Sequence, residues 1–195
     1  MIKLKNVNKE YRLAEVKTTE NSDENEMIIE GYAVVFNQIT DLGWCKEIID
    51  RNAFNGTDMK DCVLKYNHED SVFILARTRN KSLELTIDDH GLKVRAKLID
   101  TTNNRDIYKM IKEGLLDKMS FGFIVAERSW DYETDTRTIL RISKLYDVSV
   151  VDFPAYEQTE IYTRNKSEDE YKVEKEKYFR RKRERLELEI QLLSL

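Results

Sequence analysis

The alternation of apolar and polar positions changes period several times along this chain, and each change predicts an element. Residues 1 to 20 mix charge with alternating apolar positions, and Asn21-Ser22-Asp23-Glu24-Asn25-Glu26 reads as a solvated turn. The run from Met27 to Phe36 is β-branched and aromatic, which predicts a central strand, with Gly31 where a bulge or close backbone approach is expected. Leu83 to Ile87 and Leu92 to Leu98 alternate strictly on either side of Asp88-Asp89-His90-Gly91. They predict a hairpin whose strands each have one buried and one wet face. Further strands are expected at Cys62 to Tyr66, Phe73 to Arg77, Ser120 to Glu127, Thr138 to Leu145 and Val148 to Phe153, with a turn across Tyr132 to Thr136. Within Thr101 to Leu116 the period switches: Ile107, Met110, Ile111 and Leu115 recur at helical spacing, Asp106 lies near the start and Gly114 near the end. A short helix therefore leads into the segment around Ser120.

Many short strands with little helix between them predict a mainly β fold with flanking helices, an α+β arrangement whose sheet closes or folds upon itself. After Arg164 the pattern changes. Residues 165 to 195 contain no Gly, Pro or Cys and are densely charged with both signs, which predicts an exposed helix or a disordered extension. Leu186 to Leu192 alternates with a strand period, but its residue types favour helix, with Phe179, Leu186, Ile190 and Leu193 on one face. The basic cluster Arg180-Arg181-Lys182-Arg183-Glu184-Arg185 reads as a solvated helix face balanced by neighbouring glutamates.

Composition narrows the function classes. With 195 residues, 41% of them apolar and 10% aromatic, the chain can bury a substantial core in one domain. A net charge of −4, from 37 acidic and 33 basic side chains, gives no global attraction to nucleic acid or anionic membranes. Apolar runs such as Val148 to Val151 are far too short to cross a bilayer. Cys45 and Cys62 are too widely spaced for a CxxC metal knuckle, and no apolar leader precedes Lys3 and Lys5, so we expect reduced, buried thiols in a cytoplasmic protein. No metal or organic cofactor is called for.

A serine hydroxyl that attacks acyl carbons needs a positioned base, most often an imidazole, and the chain has two histidines. His90 sits in the hairpin turn beside Gly91, where a polar residue tolerant of unusual φ is expected, and is left out of the site. His68 lies in Asn67-His68-Glu69-Asp70 at a strand end, and Ser120 in Lys118-Met119-Ser120-Phe121-Gly122-Phe123. The G-x-S-x-G elbow of α/β-hydrolases is missing, so these residues alone leave the enzyme reading open.

Their order narrows it. Gly31-Tyr32-Ala33-Val34-Val35-Phe36, Asn67-His68-Glu69, Gly91-Leu92, Gly114 to Phe123 and Asp147-Val148-Ser149-Val150-Val151-Asp152-Phe153-Pro154-Ala155-Tyr156 follow one another. Together with Ile48 to Phe54, where Asn52 replaces a usual glycine, and Arg77-Thr78, the set resembles the HK97-type prohead protease family of tailed bacteriophages over residues 27 to 164. The resemblance implies a serine endopeptidase with a β-barrel like that of the herpesvirus maturation proteases, in a domain spanning 1–164 followed by a charged tail at 165–195. It puts Ser120 on the nucleophile, His68 on the general base and Asp147 on the third position, with Asp152 and Glu69 as substitute acids. Oxyanion donors would be backbone N–H groups, and the segment around Phe121 and Gly122 is the place to look. Implied partners are the phage scaffold, the major capsid protein and the chain itself through autoproteolysis, inside the immature capsid in the host cytoplasm. The tail would be a docking helix or a self-cleavage substrate; homo-oligomerisation stays open, and nucleic acid and membrane are not expected partners. The alternative is a non-catalytic capsid-assembly or scaffold-binding module with the same fold.

Overall fold

The alternating segments pair into a ten-stranded sheet, seen in a computed structural model that describes residues 10–18, 26–70, 74–152 and 161–193, with the backbone alone for 10–18 and 161–167. The strands are β1 Glu10–Thr18, β2 Met27–Val35, β3 Thr40–Asp41, β4 Lys46–Ile49, β5 Val63–Tyr66, β6 Ala76–Arg77, β7 Leu83–Ile87, β8 Gly91–Leu98, β9 Lys118–Asp131 and β10 Thr136–Val151. The α-helices are α1 Thr102–Lys112 and α2 Ile161–Leu193. Hydrogen-bonded neighbours run β3-β4-β10-β9-β1-β2-β8-β7, with β5 beside β10 and β6 beside β5.

This is the mainly β, α+β architecture expected, with one correction: the sheet is not a closed barrel. β3 and β7 stand at opposite ends of the pairing path, and β3 contributes only Thr40 and Asp41, too short a ladder to close it. The sheet instead changes partners along β1. Residues Glu10 to Glu15 pair with β9, and Val16 to Thr18 pair with β2. One core joins the two halves, with Ile29, Val34, Leu92 and Val94 from one and Met119, Phe121, Ile139 and Val148 from the other.

Met27 to Val35 is an interior strand as expected, but the irregularity in its register falls between Tyr32 and Val34 rather than at Gly31. The two strands expected at Thr138 to Leu145 and Val148 to Phe153 are one continuous β10, its register against β9 shifting repeatedly between Ile139 and Asp147. β1 falls in the stretch where alternation is mixed with charge and marks no strand bounds, and β4, four residues long, was not legible. Phe73, the Phe153 to Tyr156 stretch and most of the turn at 21–26 lie outside the described residues.

In α1, the Thr101 side chain accepts a hydrogen bond from the Asn104 N–H at 3.2 Å and caps the helix. Asp106 therefore lies in the second turn, and Gly114, at φ 73°, follows the helix end. Ile107 and Ile111 are buried, but Leu115 lies past the last turn and points outward, leaving Leu116 to enter the core.

α2 is helical as its residue types indicate, yet the face it packs is not the one expected. Leu186, Ile190 and Leu193 are exposed, whereas Tyr171, Lys175, Tyr178 and Lys182, spaced four, three and four apart, meet the turn joining β9 to β10. Tyr171 is buried against Trp44, Trp130 and Tyr132, with ring centroids 5.7, 4.4 and 5.8 Å away. Its hydroxyl and the Lys175 ammonium both bond Asp135, and Lys182 pairs with Glu133. No helix among the described residues is long and apolar enough to cross a membrane.

Gly91 opens β8 against Val35, and a Cβ there would stand 1.9 Å from the Val34 carbonyl oxygen. Gly91→Ala must therefore shift backbone, and we expect a loss of at least ~2 kcal/mol, read as a fall in Tm of several degrees by calorimetry. A second expectation concerns acid. The Lys175 ammonium and then the Tyr171 hydroxyl hold the Asp135 carboxyl below its ordinary value. A carboxyl depressed in the folded state stabilises above its unfolded value, and that contribution is lost as pH falls through the lower folded value. The α2 contact should thus persist at neutral pH and loosen below about pH 4. Fluorescence of Trp44 and Trp130, the chain's two tryptophans, reads this step; in Asp135→Asn, which tolerates the φ of 53° there, the step should vanish.

Candidate active site

Alternation along β9 separates two kinds of residue. Met119, Phe121 and Phe123 enter the core, where Phe121 stacks on Phe123 with centroids 4.6 Å apart. Ser120 and Gly122 point to the other face of the sheet. The antiparallel register sets Ser149 of β10 opposite Ser120, and Asp147 opposite Gly122, so no cross-strand side chain competes with the Asp147 carboxylate.

His68 arrives from the other edge of β10. β5 runs parallel to β10, with Val63 beside Asp147 and Lys65 beside Ser149. The chain then turns sharply: Asn67 and His68 take φ of 51° and 56°, the left-handed region that costs most residues energy. The expected unusual φ therefore belongs to His68, while His90 has no such φ and packs edge-on against Tyr32 at 4.5 Å. Three hydrogen bonds hold the turn. The Asn67 N–H donates to the Val150 carbonyl at 2.9 Å, the Asn67 Oδ1 accepts from the Asp152 N–H at 3.1 Å, and the Glu69 N–H donates to the Tyr66 carbonyl at 3.0 Å.

The three residues singled out by sequence meet. His68 Nε2 lies 2.8 Å from Ser120 Oγ, and His68 Nδ1 pairs with Asp147 Oδ1. Of the three acids weighed, Asp147 is the one on the imidazole, since the Asp152 carboxylate accepts from the Tyr66 hydroxyl at 3.4 Å and Glu69 sits in the turn itself. Ser120 is fully buried, Asp147 nearly so, and 10% of the His68 side chain remains exposed. One neighbour went unread in the sequence. Ser149 Oγ lies 3.0 Å from His68 Nδ1 and 3.2 Å from Asp147 Oδ1. The signal was there in the spacing: on a strand, Asp147 and Ser149 share a face.

Phe121 and Gly122, where oxyanion donors were sought, lie inside a strand paired on both sides, with β1 and with β10. Their backbone groups point along the sheet into these ladders. Cys62 and Cys45 are buried free thiols, as expected. Burial first, and the nearby Asp147 charge second, push the Cys62 thiol up to about 12, so it does not compete as a nucleophile. Among the described residues no group of three His, Cys, Asp or Glu side chains is disposed to hold a metal ion.

Hydroxyl, imidazole and carboxylate in hydrogen-bonded series form the arrangement by which serine hydrolases activate an alcohol. The comparisons with known proteins fall in the same class. The chain belongs to the caudovirus prohead serine protease family, whose profile matches residues 14–174. It is 30% identical over 96 residues to the prohead protease of Escherichia phage T5, covering 49% of this chain and 42% of that protein. It is also 30% identical over 151 residues to the prohead protease of Enterobacteria phage HK97, covering 75% of this chain and 63% of the relative. The chain thus spans less than two thirds of the length of these curated relatives. No solved structure matches it.

The state of Cys62 gives a direct check. In the folded protein at pH 8 the thiol should resist alkylation by iodoacetamide, and it should react at the rate of a free cysteine once urea unfolds the chain; alkylation stoichiometry by mass spectrometry distinguishes the two.

Proposed function

We propose that the chain is a serine endopeptidase of phage prohead maturation, with Ser120 as nucleophile, His68 as general base and Asp147 as the acid that orients the imidazole. The observation that carries this reading is the 2.8 Å approach of His68 Nε2 to Ser120 Oγ, with the other ring nitrogen on Asp147. With the Nδ1 proton held by the carboxylate, Nε2 is left as the acceptor. As the Ser120 oxygen bonds to the scissile carbonyl carbon, its proton passes to Nε2; the C–N bond then breaks and His68 returns that proton to the leaving amine. Water, deprotonated by the same imidazole, releases the acyl group and restores the serine. The aspartate stays ionised throughout and stabilises the imidazolium between the two transfers.

Family membership supports a role in capsid maturation, and a prohead is an immature capsid. We therefore take the scaffold, the major capsid protein and the chain itself as partners, met inside the prohead in the host cytoplasm, with scaffold and self as the polypeptides cut. The tail at 165–195 would serve as a docking or self-cleavage segment. A mixed sheet with a helix packed on its core supports kinship with the herpesvirus maturation protease fold, in an open form.

The test is the intact mass of purified protein after incubation alone and with scaffold. Wild type should yield defined truncations, and Ser120→Ala and His68→Ala should keep full mass while unfolding at the wild-type temperature. Asp147→Asn should slow cleavage by a factor on the order of 10³ to 10⁴, because the wrong imidazole tautomer is then favoured. Undiminished cleavage by Ser120→Ala would remove that residue from the mechanism.

A further inference from the structure

Ser149 sits on the face of β10 that it shares with Asp147, opposite the face by which Val148 and Val150 enter the core. It is fully buried. A buried hydroxyl must place its proton on an acceptor or lose the free energy of that bond. Two polar atoms lie within reach of its Oγ: His68 Nδ1 at 3.0 Å and Asp147 Oδ1 at 3.2 Å. When Nε2 accepts from Ser120, Nδ1 carries the ring's single proton and is a donor. Of the two, only the carboxylate can then accept the Ser149 proton.

We infer that Ser149 is a positioning residue: its hydroxyl donates to Asp147 Oδ1 and locks the carboxylate in the orientation that meets the imidazole. The inference rests on the reading of Ser120, His68 and Asp147 given above and adds a fourth member to it. Asp147 Oδ1 then receives two donors whose heavy atoms lie 3.0 Å apart, each brought by a different element. β10 supplies one through the i, i+2 alternation of Asp147 and Ser149, and the turn after β5 supplies the other. Without the serine, the carboxylate keeps its charge but loses the contact that fixes its rotation, and the tautomer and aim of His68 become less well defined.

The test uses an alkyl fluorophosphonate, which forms a P–O bond with an activated serine as fluoride leaves and the serine proton passes to the base. Labelling at Ser120 is followed by peptide mass spectrometry on the full chain. Ser149→Ala should lower the labelling rate constant about 10- to 100-fold, the effect of losing one hydrogen bond to a charged group. Probe affinity should hardly change, and a fall in Tm of a few degrees is expected from the lost hydrogen bond. Ser149→Thr, which keeps the hydroxyl and suits a strand, should recover most of the rate; if the alanine variant fails to fold, Ser149→Cys, a weaker donor of similar size, provides the comparison. A second readout does not depend on turnover. In ¹⁵N-histidine-labelled protein, with only two histidines to assign, the His68 Nδ1–H resonance should move and exchange faster with solvent in Ser149→Ala. A wild-type labelling rate with an unmoved resonance would overturn the inference and leave the triad standing. Label on another residue in wild type, or full-rate labelling of Ser120 in His68→Ala, would instead overturn the triad reading, while the resonance still reports on the Ser149–Asp147 bond.

Discussion

Everything at the site depends on the parallel pairing of β5 with β10. β10 is long enough to take two parallel partners along one edge, β4 beside Thr136 to Ile139 and β5 beside Asp147 to Val150. The first is tied by the buried ion pair of Arg137 with Glu47, which face each other in register, Arg137 lying 5.8 Å from the Trp130 ring centroid. A buried pair like this one contributes more to choosing a register than to net stability, because desolvation offsets much of the attraction. Because the register of β10 against β9 shifts repeatedly between the two ends, the positions of Asp147 and Ser149 are set locally, by pairing with β9 and β5. β5 then delivers the imidazole to them.

The turn after β5 is where the fold spends conformational energy. Two consecutive non-glycine residues in the left-handed region are uncommon, and asparagine is among the side chains that tolerate it best because its amide can bond nearby backbone. Asn67 does so, accepting from the Asp152 N–H just past the end of β10. The strain is thereby confined to a segment clamped on both sides, so His68 is aimed by backbone rather than by a flexible side chain alone.

Much of this was legible in the sequence because alternation is local information. The β7–β8 hairpin, the strand from Met27 and the helix before Ser120 all declare themselves within a dozen residues, and the ordered motifs singled out Ser120, His68 and Asp147. What was hidden is long-range. The alternation within residues 1 to 20 does not say which strands β1 joins, and its place between β9 and β2 is decided by partners far along the chain. Whether the sheet closes depends on its two ends, which no local pattern encodes. Ser149 was overlooked because a serine between valines has meaning only once the imidazole from residue 68 is beside it. The stripe Tyr171, Lys175, Tyr178 and Lys182 was obscured by the charge density of the tail, which reads as solvated until the aromatic surface of the β9–β10 hairpin is seen against it.

Ser120, Asp147 and His68 come together from unequal distances along the sequence. Ser120, Asp147 and Ser149 belong to one antiparallel hairpin, a unit that forms from local contacts and closes a short loop. The imidazole must come from 52 residues before the serine and 79 before the aspartate, through a parallel pairing that pays its loop-closure entropy late. A chain in which only the β9–β10 hairpin has formed thus holds the hydroxyl and the carboxylate on one unit without the imidazole between them. Bringing the three side chains together therefore requires both the antiparallel and the parallel pairing of β10, and their juxtaposition reports that the second has formed.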